Sequence, residues 1–325
     1  MLHHLSMKFP QDGELFLKFV NVLIGNSENP YAEEVIKYLD TLTHFTTVVN
    51  FEEVMPNPDQ SSEYEFVAAS QLVSSTNQRN MIIIPGRTRA KKLGEQGRTR
   101  LLVSFNIRYS FWPFVFNYWE TEVQRIKNGY PYTTQDLKVL FEYIKLVCEV
   151  VMIDPSVTPA LEKFGLREPA NHPSEVHVTR RTPEVPKTEL VYLLLESFIE
   201  LSKLTNTPLE VLSELIETTL AVYASENKEV ENHAVAAVLA RVSAERHGTR
   251  GIFHSHPLFL SASKLRSVEK EAERYNVSLA VMELVSYILE DEAVLLLYPL
   301  GDSVVIQESL KFGLTEVLPE CFLWP

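Results

Sequence analysis

From about Tyr132 onward, apolar residues recur at three- and four-residue spacing, whereas the first 110 residues carry short apolar runs broken by turn residues. A helical period in one half and a mixed pattern in the other predict an α+β chain. In the first half, Glu14 to Ile24 is apolar at helical spacing and stops before Gly25, and Pro30 to Leu42 opens with a proline suited to a first helical turn. Thr46 to Phe51 and Glu65 to Leu72 read as strands around a loop rich in Pro, Asn, Asp and Ser. Met81 to Ile84 has the length and branching of a buried strand, and Leu101 to Phe111 alternates in part. A helix following Pro113 should end at Gly129. Thr133 and Asp136 then have the spacing of a capping box for a helix running to about Met152.

The prolines at 169, 173, 183 and 186 interrupt any helix and mark a linker. The expected organisation is a mixed domain over 1–165, a linker over 166–188 and a mainly helical bundle over 189–325. The bundle's expected helices are Thr188 to Leu204, Thr207 to Ala224, Val230 to His247, Ser261 to Tyr275 and Ser278 to Glu290. Leu295 to Tyr298 and Ser303 to Gln307, around a Pro-Leu-Gly-Asp turn, read as a terminal hairpin.

Composition excludes several classes. At 45% hydrophobic and 22% charged residues, 325 residues supply enough apolar surface to fold. Two cysteines, Cys148 and Cys321, make neither a disulfide framework nor a thiolate metal centre. No apolar stretch approaches membrane-spanning length and the first ten residues lack a signal peptide's order, so a cytoplasmic protein with no membrane partner is expected.

Charge changes the picture more. The net charge is −13, yet Gly86 to Arg108 carries Arg87, Arg89, Lys91, Lys92, Arg98, Arg100 and Arg108 against the single acid Glu95. The rest of the chain holds 23 basic and 42 acidic residues. One basic element thus projects from an acidic body, and glycines at 86, 94 and 97 give it the character of a jointed arm over 86–100. Arginine forks suit phosphate and guanine edges, so these seven residues are the candidate nucleic-acid contacts. The alternative is a solvated hairpin tip. Rings at 105, 109, 111, 112, 114, 116, 118 and 119 read mainly as core, with base stacking as the other use. His177, Arg180 and Arg181 in the linker are further candidates for phosphate contact.

No phosphate-cradling GxxxxGK[ST], nucleophile elbow, HExxH or dinucleotide fingerprint occurs, so no catalytic residue and no cofactor is expected. The one enzymatic lead is His254-Ser255-His256-Pro257, which resembles the zinc-binding run of JAMM-type deubiquitinases. The aspartate that the pattern requires is Ser267 here, leaving Glu269 or Glu271 to substitute.

The layout, with Gly25 to Leu39 (GNSENPYAEEVIKYL) near the start and the Gly86 to Arg100 arm, resembles the large subunit of archaeal type I CRISPR interference complexes. That resemblance implies an antiviral-defence subunit without catalysis. Such a subunit joins guide RNA and other subunits, inspects the motif flanking a DNA target and helps hold the opened strands. It makes Arg87, Arg89, Lys91, Lys92, Arg98 and Arg100 DNA-contact candidates. The competing expectation is a protein-interaction scaffold without DNA contact, with the metal-dependent hydrolase third.

Overall fold

A computed structural model describes residues 1–10, 13–25, 30–57, 63–68, 70–73, 82–84, 86–153, 187–224 and 257–290. It is an α+β chain. Its described residues fall into two units. One holds Met1–Glu122 and Thr133–Val150, and the other holds Val123–Tyr132 with the described residues from Val151 on.

The first unit begins with helices α1 (Leu2–Ser6), α2 (Glu14–Ile24) and α3 (Ala32–Leu39). Strands β1 (Leu42–Asn50), β2 (Val54–Pro56), β3 (Glu63–Phe66), β4 (Ser70–Val73), β5 (Ile82–Ile84), β6 (Arg89–Gln96) and β7 (Arg100–Tyr109) follow. Five of them form an antiparallel sheet in the order β1-β7-β6-β3-β2, while β4 and β5 pair separately. The outer edge of β1 is covered in part by the chain itself, since the Thr46 N–H donates to the Phe9 carbonyl at 2.8 Å. An edge strand left bare would offer its backbone to other chains.

Alternation decides which face is buried. Leu101, Val103 and Phe105 on β7 point into the core, opposite Val49, Thr47 and Phe45 of β1. The Phe105 ring lies 5.0 Å from Phe66 and 6.5 Å from Phe45, and Phe45 lies 4.9 Å from Phe114. Phe9, Phe16 and Phe111 extend this cluster, with Phe9 and Phe111 5.0 Å apart. Each buried ring stabilises the fold by about 1.5–3 kcal/mol through area removed from water.

Helix α4 (Trp112–Lys127) opens with Pro113 inside its first turn rather than ahead of it, as the sequence had implied, because a first-turn proline sacrifices no helical N–H bond. Trp112 holds that end down by donating its indole N–H to Asp40 at 3.0 Å. The other end closes at Gly129 with φ +70°, where the Tyr130 N–H reaches the Arg125 carbonyl at 2.9 Å. A Cβ at Gly129 would meet nothing within 4 Å, so Gly129→Ala tests backbone conformation alone. It should cost about 1 kcal/mol, read as a lower denaturant midpoint with unchanged slope.

Helix α5 (Thr134–Ile153) has the expected capping box. Asp136 accepts from the Thr133 N–H at 2.9 Å, and the Asp136 N–H donates to the Thr133 hydroxyl at 3.1 Å. Asn21 of α2 donates to the Glu142 carbonyl and carboxylate of α5, at 3.0 and 2.6 Å.

The second unit contains α6 (Lys187–Leu201), α7 (Leu209–Ala224), α8 (Pro257–Ala272) and α9 (Asn276–Glu290). Helix α6 is buried nearly all round from Leu194 to Leu201, including Glu196 and Glu200. Lys127 at the end of α4 sits 2.6 Å from the Glu196 carboxylate, and Lys203 2.5 Å from that of Glu200. Buried acids persist only when so compensated. Thr207, where the second helix of the bundle was expected to begin, lies ahead of α7 and donates its hydroxyl back to the Leu201 carbonyl at 2.8 Å, closing α6. The expected helix 230–247, the terminal hairpin and the linker up to residue 186 lie outside the described residues. Among the described residues, no helix is long and apolar enough to cross a membrane.

Candidate interaction surface on the basic hairpin

The segment expected as a glycine-jointed arm is a sheet strand. β6 pairs with β3 over Arg89–Lys91 and with β7 over Ala90–Gln96, so its base is held in two ladders and its outer half in one. Ala90 is the reason it docks: it is buried opposite Phe105, and a small residue there leaves room for the ring. Only Gly97, Arg98 and Thr99 form the turn into β7, with Gly97 at φ +71°.

Register then decides what each cation meets. Arg89 lies opposite Glu65 and Lys91 opposite Glu63, and the Arg89 Nε is 3.6 Å from the Glu65 carboxylate. Opposite charges directly across antiparallel strands are a stabilising pair. Between Lys92 and Gly94 the register shifts by one residue, a bulge that puts Leu93 out of the ladder. In a regular strand residues three apart face opposite sides; the bulge returns Lys92 and Glu95 to one side, where they form an ion pair. The Glu95 carboxylate, hydrogen-bonded to it, raises the Lys92 ammonium above its ordinary value. Of the six cations of the segment, Arg89 and Lys92 thus come within 4 Å of the protein's own acids, while Lys91 lies opposite Glu63 in register only.

The other three do neither. Among the described residues, Arg87, Arg98 and Arg100 have no carboxylate within 4 Å. Arg87 is an exposed turn residue at φ +66° whose N–H donates to the Phe66 carbonyl at 2.9 Å. It precedes β6 while Arg98 follows it, and the eight residues of that strand put roughly 25 Å between them. Arg98 and Arg100 sit together at the hairpin end, where Arg100 is flanked across the sheet by Gln96 and Asn50, both uncharged. This end is held in place: the Phe51 N–H donates to the Thr99 carbonyl at 3.1 Å. Phe51 is 40% exposed, so apolar surface accompanies the two guanidinium groups, and Leu93 at the bulge of β6 is 49% exposed. Arg108 lies near the far end of β7, its side chain outside the described set.

The rings after β6 are packing groups. Phe105, Phe111, Trp112 and Trp119 are fully buried, and Tyr109 and Phe114 nearly so, which removes them as base-stacking platforms. Tyr109 donates its hydroxyl to the His44 carbonyl at 2.7 Å, and burial pushes its pKa well above the ordinary phenol value. His177, Arg180, Arg181, His254 and His256 lie outside the described residues. Glu269, one of the two acids that would have to complete a zinc site with those histidines, is committed elsewhere. It is fully buried, and its carboxylate accepts the N–H groups of Val277 and Ser278 at 2.9 and 3.2 Å, together with the Ser278 hydroxyl. It caps the start of α9, while Glu271 and Glu273 are exposed. No group of three or more His, Cys, Asp or Glu placed to hold a metal occurs among the described residues.

Two features escaped sequence reasoning: the cross-strand acids Glu63 and Glu65, and the apolar company of Arg98 and Arg100. The first had a signal. Glu63-x-Glu65 and Arg89-x-Lys91 share a two-residue spacing, as facing strand residues must. Compared with known protein families and with curated protein sequences, the chain matches none.

Proposed function

We propose that this chain is a docking subunit of a larger cytoplasmic assembly, and that the β6–β7 hairpin end binds an acidic segment of a partner protein. The observation that carries this reading is the position of Arg98 and Arg100, free of carboxylates among the described residues, beside exposed Phe51, with exposed Leu93 farther down the same strand pair. Arginine and aromatic residues are the side chains enriched at the centre of protein interfaces. A path for phosphate backbone needs positive charge along its length, and here the middle of the strand faces Glu63, Glu65 and Glu95.

The second reading is the DNA-binding subunit of a CRISPR-type complex, with guide RNA and other subunits as partners. It is favoured by the same two guanidinium groups, together with Arg87 at the other end of β6, as contacts to phosphate or to a flanking motif.

One experiment separates them. A photo-cross-linking residue replaces Leu93 in the full chain, which is isolated with its native assembly and irradiated. The first reading predicts adducts to a peptide rich in Asp and Glu, and no arginine-dependent binding of duplex or single-stranded DNA in a salt series. Adducts to nucleic acid, with affinity falling steeply as salt rises and weakened by Arg98→Ala with Arg100→Ala, would establish the second reading instead.

A further inference from the structure

Gly-Arg-Thr-Arg occurs twice, at 86–89 and 97–100, and the structure separates the two copies. In the first, Thr88 is half-buried, its carbonyl accepts the Phe66 N–H at 3.2 Å, and Arg89 is drawn to Glu65. In the second, Thr99 is exposed at the hairpin turn, and among the described residues its hydroxyl makes no hydrogen bond. Arg98 and Arg100 on either side of it have no carboxylate within 4 Å there. A Cβ built on Gly97 or on Gly94 would meet nothing within 4 Å, so the approach to the turn is open. Among the described residues, the only backbone hydrogen bond from outside the hairpin that holds Thr99 is the one from the Phe51 N–H to its carbonyl.

We infer that Thr99 is a phosphorylation site for a basophilic serine/threonine kinase, whose acidic cleft takes Arg98 and Arg100 while the free hydroxyl enters the active site. The Thr99 Oγ1 attacks the γ-phosphorus of ATP, the bond from that phosphorus to the β-phosphate oxygen breaks, ADP leaves, and the hydroxyl proton passes to the kinase's base. The product carries a charge of about −1.5 to −2 between two guanidinium groups, cancelling their charge. Resting on the docking reading above, the consequence is a switch: the phosphorylated hairpin end no longer attracts an acidic partner.

The test treats the folded full chain with ATP and the catalytic domain of a basophilic kinase, and maps phosphate by peptide mass spectrometry. Phosphate on Thr99 and none on Thr88 is expected, with incorporation abolished by Thr99→Val and retained by Thr88→Val. Phosphate on Thr88, or none on Thr99, overturns the site. Partner retention is then compared among unmodified chain, phosphorylated chain and the Arg98→Ala, Arg100→Ala variant. A fall of about tenfold on phosphorylation is expected. If the arginine variant loses the partner and the phosphorylated chain does not, the switch is overturned while docking stands. If the arginine variant itself retains the partner, the docking reading fails and the mapped phosphosite remains.

Discussion

Replacing Phe105 by alanine should destabilise the first unit by about 3–5 kcal/mol, the range for emptying a buried aromatic site that cannot collapse. The ring is fully buried on a central strand, 5.0 Å from Phe66, and lies opposite Phe45 on one neighbouring strand and Ala90 on the other. Its loss leaves a void bounded by three strands, and Ala90 is too small to fill it. Equilibrium unfolding of the variant should show a markedly lower midpoint. Hydrogen exchange should show β6 and β7 losing protection together, because Phe105 is the side chain beneath their pairing. Phe105→Leu, which keeps most of the volume, should recover more than half of the loss. An alanine variant within about 1 kcal/mol of the parent would mean that this ring is not central to the sheet's core.

Glu269→Ala should weaken the second unit by about 2–4 kcal/mol, from a lost cap and from buried donors left without partners. Both effects act at one place. The carboxylate caps α9, and the Glu269 backbone carbonyl accepts the Arg274 N–H at 3.0 Å, closing α8 with Glu273 in the left-handed region at φ +53°. Glu269→Gln keeps an acceptor oxygen in the same position and should cost about 1 kcal/mol. Circular dichroism during urea unfolding measures both. A Gln variant as damaged as the Ala variant would show that the negative charge at the start of α9, rather than the acceptor, supplies the stabilisation.

Which parts of this fold the sequence disclosed follows from which interactions are local. Helix α2 and the start of α5 were legible because apolar spacing and a three-residue capping box lie within a single element. Strand β7 was legible from its alternation. Strand β6 was not, since Gly94 and its charged residues disfavour a strand and its pairing partners come from far along the chain. Its one strand signal was Ala90 between two outward cations. Glu269 looked like one acid among several on a helix face, and its capping role arises only when the chain turns back eight residues later. For the candidate surface, the sequence supplied the cations and omitted their partners. Charge counted along the chain is blind to Glu63 and Glu65, which register brings opposite Lys91 and Arg89.

On the proposed docking, interaction resides in Arg98 and Arg100 at the hairpin end, and not in the basic strand as a whole. Its most direct test compares two double variants in the native assembly, Arg98→Glu with Arg100→Glu against Arg89→Gln with Lys91→Gln, scored by how much partner each retains at equal fold stability. The account predicts that the first pair loses the partner by about tenfold or more and the second pair retains it. Equal loss in both, or loss confined to the strand pair, would contradict it.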